Sequence, residues 1–226
     1  MTLDRETVLR GIDEELRTFG SMLAGLTHEE LGTATACDGW TVRDVAGHVV
    51  GTVVDVSAGR IEGQGTPAVT GRQATERAGA SGRELGDELA AALPALTALL
   101  GSLPPDSWTG PSFDGRSTLG FAVEAIWYDA YVHGHDIRSA LGRPIDRGAG
   151  LRCAVHHVAG YLDQRPWRAA TLALDGIEPI DIAGGGERIT GDTLDFVLAA
   201  TGRIDPSTVG LDDGVNVYAP DSSATG

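Results

Sequence analysis

Four stretches of this chain repeat apolar residues at spacings of three and four, and a chain so patterned must bury four helical stripes against one another. Val8, Ile12, Leu16, Phe19 and Leu23 define the first stripe, in a helix expected from about residue 3 to 25. The second opens at "TVRD", residues 41–44, a pattern that resembles a capping box. Thr41 is placed to accept from a free backbone N–H, and Asp44 favours the positive end of the helix. The apolar side of this helix runs through Val45, Val49, Val53 and Val56, and His48 lies inside it. Leu85, Leu89, Leu93, Leu96 and Leu100 mark the third helix, which Pro94 is expected to kink. The fourth, about 118 to 141, carries Leu119, Ala122, Ile126, Ala130, Ile137 and Leu141, and stops at Gly142 with Pro144 just beyond. Four long amphipathic helices imply a bundle.

Between the second and third helices, "GQGTPAVTGRQATERAGASG" is rich in Gly, Thr and Ser without a period, and is expected to be a mobile loop. The pattern changes after residue 148. "LRCAVHHVAGYLDQ" is a further helix, "ATLALDG" and "EPIDIAGG" alternate as short strands, and "TGDTLDFVLAATGR" gives a helix whose Thr193, Leu194, Val197 and Leu198 pack on the sheet. "VNVYAP" is expected to be a last strand. The expected fold class is α+β: a four-helix bundle over residues 1–147, a small α+β domain over 148–220, and a disordered tail over 221–226.

The 32 acidic residues against 17 basic ones leave a formal net charge of -15, a poor match for a phosphate backbone or an anionic membrane surface. Nucleic acid and membrane are therefore excluded as expected partners. No apolar run approaches the roughly 20 residues a membrane span needs, and "MTLDRETVLR" lacks the basic start and apolar centre of a signal peptide. The expectation is a soluble cytoplasmic protein. Its two cysteines, Cys37 and Cys153, match no metal or redox spacing and are expected to be reduced thiols, neither of them a nucleophile. Trp40 is expected to anchor the core.

The chemistry concentrates in "YDAYVHGHDIRSALGRP", residues 128–144, which sets two histidines and two aspartates in an otherwise apolar helix. At about 100° per residue, Asp129 and His133 stand about 40° apart and Asp136 returns to within about 20° of Asp129. These three share a face. His135 and Glu124 point to the opposite side, at about 180–200° from His133, and His135 is expected to be solvated. Asp129 and His133 border the apolar stripe, where charged groups are costly unless paired or bound to metal. His48, on the core-facing stripe of another helix, is the natural third ligand of an open, catalytic type of metal site. Two plainer readings stay open: a satisfied core histidine at 48, and an intrahelical hydrogen bond between Asp129 and His133 worth a few tenths of a kcal/mol. Asp136 either orients His133 or pairs with Arg138.

"GWTVRDVAGHVV" at 39–50 resembles the second-helix signature of the DinB-like metalloenzymes, in particular the mycothiol-dependent maleylpyruvate isomerase family of actinobacteria. "DAYVHGHDIRSALGRP" at 129–144 resembles that family's fourth-helix motif, and "ITGDTLDFVLAATGR" at 189–203 resembles the start of its C-terminal domain. The resemblance implies a DinB-like bundle holding a divalent metal, usually zinc, with mycothiol as thiol cofactor. It implies His48, Asp129 and His133 as ligands; the family's acid is commonly Glu, and Asp129 is one methylene shorter. It further implies a functional arginine in the C-terminal domain, for which Arg203 is the catalytic candidate, its plainer reading being a solvated arginine after a helix end.

The expected activity is thiol-dependent isomerisation of a small electrophilic unsaturated acid. Thiolate adds to the double bond, the new single bond rotates, and the thiol leaves; in a transferase it stays attached. A non-catalytic small-molecule-binding or regulatory member of the fold and a metal-dependent hydrolase are the alternatives. The expected partner is a small-molecule substrate, and the sequence leaves a homodimer open.

Overall fold

In the computed structural model, which describes residues 2–113, 115–165 and 167–219, each predicted helix of the bundle begins where a side chain can satisfy free backbone N–H groups. Asp4 accepts from Thr7 at the head of α1 (Arg5–Ala24), and Thr41 with Asp44 forms a complete capping box on α3 (Val42–Ser57). Ser81 with Glu84 does the same for α5 (Gly82–Ser102), and Thr118 accepts from Phe121 at the start of α6 (Leu119–Ala140). Pro94 lies within the continuous α5. A one-turn helix, α2 (His28–Leu31), precedes α3 with its own capping box from Thr27 and Glu30.

The chain divides into two compact units, one spanning Leu3–Asp146 and the other running from Arg147 onward and including Thr2. In the first, α1 packs on α5 and α6, and α3 packs on α5 and α6, so the four long helices close around one core. Val8, Leu16, Phe19, Leu23, Val45, Val53, Leu85, Leu89, Leu96 and Ile137 are all at most 1% exposed, as their stripes require. The fourth helix departs from its expected stripe. Ala122 is exposed and Ile126 half-buried, whereas Phe121, Val123, Trp127, Tyr128 and Tyr131 are buried. The reason is that α6 meets α1, α3 and the 3-10 turn Pro105–Thr109, and a helix enclosed on so many sides has no single apolar stripe. It ends as expected at Gly142, whose φ of +62° suits a residue without a Cβ.

The expected loop between the second and third bundle helices is not a loop. Residues Pro67–Glu76 form α4, with Pro67 at the first helical position, where its missing N–H costs nothing. The segment's poor intrinsic propensity hid a helix that is stabilised by packing against α3. Gly51 admits that contact: a Cβ there would lie 2.5 Å from the Cβ of Gln73.

The C-terminal unit holds α7 (Ala149–Gln164), β1 (Ala170–Leu174), β2 (Ile180–Ile182), β3 (Glu187–Gly191) and α8 (Thr193–Ala200). The sheet order is β2-β1-β3, with β2 antiparallel and β3 parallel to β1. Both α8 and β2 pack on α7. The expected last strand, "VNVYAP", is corrected: Asp213–Val215 is a 3-10 turn, and Val217 donates its N–H to Ala200 O instead of joining the sheet. The third strand is β3, which shows no alternation because Ile189 is its sole buried residue. The expected tail, 221–226, lies outside the described residues. No described helix is long and apolar enough to cross a membrane.

Candidate metal centre

The contact between α3 and α6 brings His48, Asp129 and His133 together. His48 Nε2 lies 3.4 Å from Asp129 Oδ2, and His133 Nε2 lies 3.5 Å from Asp129 Oδ1. The two imidazole rings are nearly perpendicular, at 86°, with centroids 5.2 Å apart. All three residues offer a ligand atom within 4.8 Å of the others. Four ligands held tetrahedrally at about 2.0–2.1 Å from a zinc ion are separated by roughly 3.3–3.4 Å. The two histidine-to-carboxylate contacts, each to a different oxygen of Asp129, are close to that edge length. The His48 side chain is 6% exposed, whereas Asp129 is 28% exposed, so the cluster is closed on the histidine side and open at the carboxylate.

Hydrogen bonds at the far nitrogen of each ring fix what the near nitrogen presents. His133 Nδ1 is 2.9 Å from Asp136 Oδ2, and a carboxylate can only accept, so Nδ1 carries the proton. His48 Nδ1 is 2.8 Å from Gln73 Oε1, and the same follows there because the Gln73 amide nitrogen is committed to Asp55 Oδ2 at 2.8 Å. In the neutral rings both Nε2 atoms therefore direct lone pairs at the Asp129 carboxylate. Three electron-rich groups converge on one point, an arrangement that is repulsive until a cation stands between them. The His48 pKa reflects this demand. Burial works to lower it, but the Asp129 charge and the hydrogen bonds that a protonated ring makes to Asp129 and Gln73 win and raise it above the ordinary histidine value.

Asp136 orients His133, as one of the roles expected for it requires, with the residue 1% exposed beneath the ring. It also accepts from Cys37 Sγ at 3.3 Å, and Cys37, His133 and Asp136 form a second group of potential metal donors that sequence spacing did not reveal. Trp40 is not a core anchor. It is half-buried, with its ring edge-on to His48 at 5.7 Å, and so walls the site. His135 is not solvated, because α6 is enclosed: its side chain is 11% exposed and stands 4.0 Å from Asp136 Oδ1, outside the His48 cluster. Glu124 is buried and accepts from the Leu3 N–H at 2.8 Å, away from the site. Arg203 belongs to the C-terminal unit, just beyond α8, where its guanidinium donates to Thr201 O at 3.2 Å. Sequence reasoning missed Gln73, which sits on α4 in the segment expected to be a loop.

Residues 12–138 match a family model described as "Mycothiol maleylpyruvate isomerase N-terminal domain", a span that contains His48, Asp129 and His133. Among solved structures, the mycothiol-dependent maleylpyruvate isomerase aligns with a TM-score of 0.63 at 17% identity, and a histidine-to-alanine mutant of it with 0.64 at 16%. Each alignment covers 93% of this chain and 96% of the other, a likeness of fold. The ribosomal protein uS12 methylthiotransferase RimO of Frankia alni is 30% identical over 162 residues, 62% of this chain. The chain spans only 28% of that protein's length.

Proposed function

This chain belongs to the mycothiol maleylpyruvate isomerase family, and from that premise we propose that it is a metal- and thiol-dependent enzyme that isomerises a small electrophilic unsaturated acid or conjugates a thiol to it. The reading rests on one observation above all: two imidazoles, His48 buried and His133 half-buried, each with its Nδ1–H bound to an acceptor, aim their Nε2 lone pairs at one carboxylate. His48, Asp129 and His133 would hold the ion. A divalent metal such as zinc supplies positive charge that lowers the pKa of a thiol placed at its open position.

The rest of the work falls to the chain. Asp129 offsets part of the metal's charge and, being the most exposed of the three, marks the side from which thiol and substrate approach. Gln73 and Asp136 keep the imidazoles from rotating. Trp40 excludes water from one edge of His48. The resemblance implies a functional arginine in the C-terminal unit, and Arg203 is the candidate, since a guanidinium fork matches a carboxylate at two points.

The test is a turnover assay of metal-loaded protein on a cis ene-dioate acid, with and without mycothiol. Turnover is expected to require the thiol, to vanish on chelation, and to fall steeply in Arg203→Ala with metal content unchanged. Full activity without any thiol would overturn the reading in favour of hydrolysis.

A further inference from the structure

His48 can meet a metal through Nε2 only if its proton sits on Nδ1, and Gln73, the residue that touches Nδ1, cannot decide this by itself. A carboxamide turned by 180° would present its NH2 group to Nδ1, force the proton onto Nε2, and place an N–H where the ion belongs. Something must fix the amide.

The fixing group is Asp55. It lies on α3 seven residues after His48, about two turns along, and so on nearly the same helical face. Its side chain is only 2% exposed. Arg60 donates to Oδ1 at 2.7 and 2.9 Å, and Arg72 to Oδ2 at 2.5 Å. Oδ2 also accepts the Gln73 amide at 2.8 Å. Gln73 itself is fully buried, and its NH2 group makes a second bond, to Gln64 Oε1 at 3.1 Å. With both amide hydrogens spent on oxygen atoms, Oε1 is left to face His48 Nδ1 at 2.8 Å. Thr52 Oγ1, at 3.4 Å, is a second donor toward the same oxygen. The glycines of α3 hold the arrangement in register. A Cβ at Gly51 would meet Gln73 at 2.5 Å and one at Gly47 would meet the α4 backbone at 3.3 Å, so α4 can approach α3 closely only over these two positions.

We infer that Asp55 and Gln73 are positioning residues, and that the buried charge at 55 dictates through Gln73 which nitrogen of His48 faces the metal. The inference rests on the metal-centre reading above, and adds to it a control point outside the ligand set. It gives α4 a purpose: the helix carries the amide that passes the polarity of Asp55 to His48.

Two readouts test it, neither of them activity. The first is the tautomer of His48 in metal-free protein, read from side-chain nitrogen NMR shifts at a pH where the imidazole is neutral. The second is zinc affinity by competition with a chelating dye. Wild type should show the Nδ1–H form. Asp55→Asn, which lets the amide turn, should populate Nε2–H and weaken zinc binding by about ten- to a hundredfold. The double variant Asp55→Asn with Gln73→Glu moves the negative charge one step closer and should restore both readouts, since an ionised carboxylate in place of the Gln73 amide can accept only. Arg72→Gln removes an anchor of Asp55 but not its charge, and should lower stability while leaving the tautomer in place.

An Asp55→Asn protein that keeps both the Nδ1–H form and its zinc affinity overturns the inference. So does an Arg72→Gln protein whose tautomer shifts as far as that of Asp55→Asn, which would reduce Asp55 to a structural anchor. If wild type bound no zinc, the metal-centre reading would fail, yet the tautomers of the metal-free variants would still decide whether Asp55 controls His48.

Discussion

The Asp129 carboxylate faces two nitrogens that, in the neutral rings, have no proton to give it, and this one residue carries the sharpest expectations about binding. Asp129→Glu should keep or improve zinc affinity, because it restores the longer reach that is common in the resembling motif. Asp129→Asn should weaken it by removing the charge that offsets the ion. His48→Ala and His133→Ala should leave no stoichiometric zinc after dialysis against metal-free buffer, measured by elemental analysis. Equal affinity in wild type, Asp129→Glu and Asp129→Asn would make the carboxylate a bystander. The grouping of His48, Asp129 and His133 was legible because helical spacing sets Asp129 and His133 on one face of α6 and His48 on the apolar stripe of α3, while the resemblance singled the three out as a set. Cys37 and Gln73 were not, because their contacts join residues 99 and 25 positions apart, and no local period encodes such a pairing. Trp40 was legible as an apolar side chain but not as a wall, since its neighbour His48 is set by tertiary packing.

At the scale of elements, α4 is the lesson. Helix starts could be read wherever a cap preceded an apolar stripe, as at Thr41, and Thr41→Ala should cost about 1 kcal/mol of stability, measured by urea unfolding. The helix at Pro67–Glu76 has no side-chain hydrogen bond at its N-cap, and only Gln73 and Ala74 are buried on it, so neither period nor cap announced it. Its existence depends on α3. Gly51→Ala makes that dependence measurable. In an open helix the change would stabilise by up to about 1 kcal/mol; here the new Cβ would stand 2.5 Å from Gln73. The expected result is a loss of roughly 1–3 kcal/mol from overpacking, together with weaker zinc binding as Gln73 is displaced. A stabilised protein with unchanged affinity would show that α4 moves independently of the site.

For the whole molecule, the buried Asp55 network links the site to global stability. Burial alone would raise the Asp55 pKa, but hydrogen bonds from Gln73, Arg72 and Arg60 outweigh it and hold the value at about 2 against an ordinary 3.8. Because the folded value is depressed, the stabilisation is fully present above 3.8 and is lost as pH falls toward 2. It amounts to ~2 kcal/mol for this nearly inaccessible side chain. The stability gap between wild type and Asp55→Asn should therefore close over that window in denaturant titrations. A gap that stayed constant with pH would show that the carboxylate's charge contributes nothing. The architecture of bundle followed by small sheet was legible because the hydrophobic period switches near residue 148. Within the sheet, β3 was not, since a strand with one buried side chain carries almost no pattern. The proposed function turns on an open metal position that receives a thiol. Its most direct test is to load the protein with cobalt(II), titrate it with mycothiol, and follow the near-ultraviolet cobalt–thiolate absorption. The expected result is a band that grows with mycothiol, saturates at one thiol per metal, survives Cys37→Ser and is missing in His133→Ala. A cobalt-loaded wild-type protein whose spectrum mycothiol leaves unchanged would contradict it.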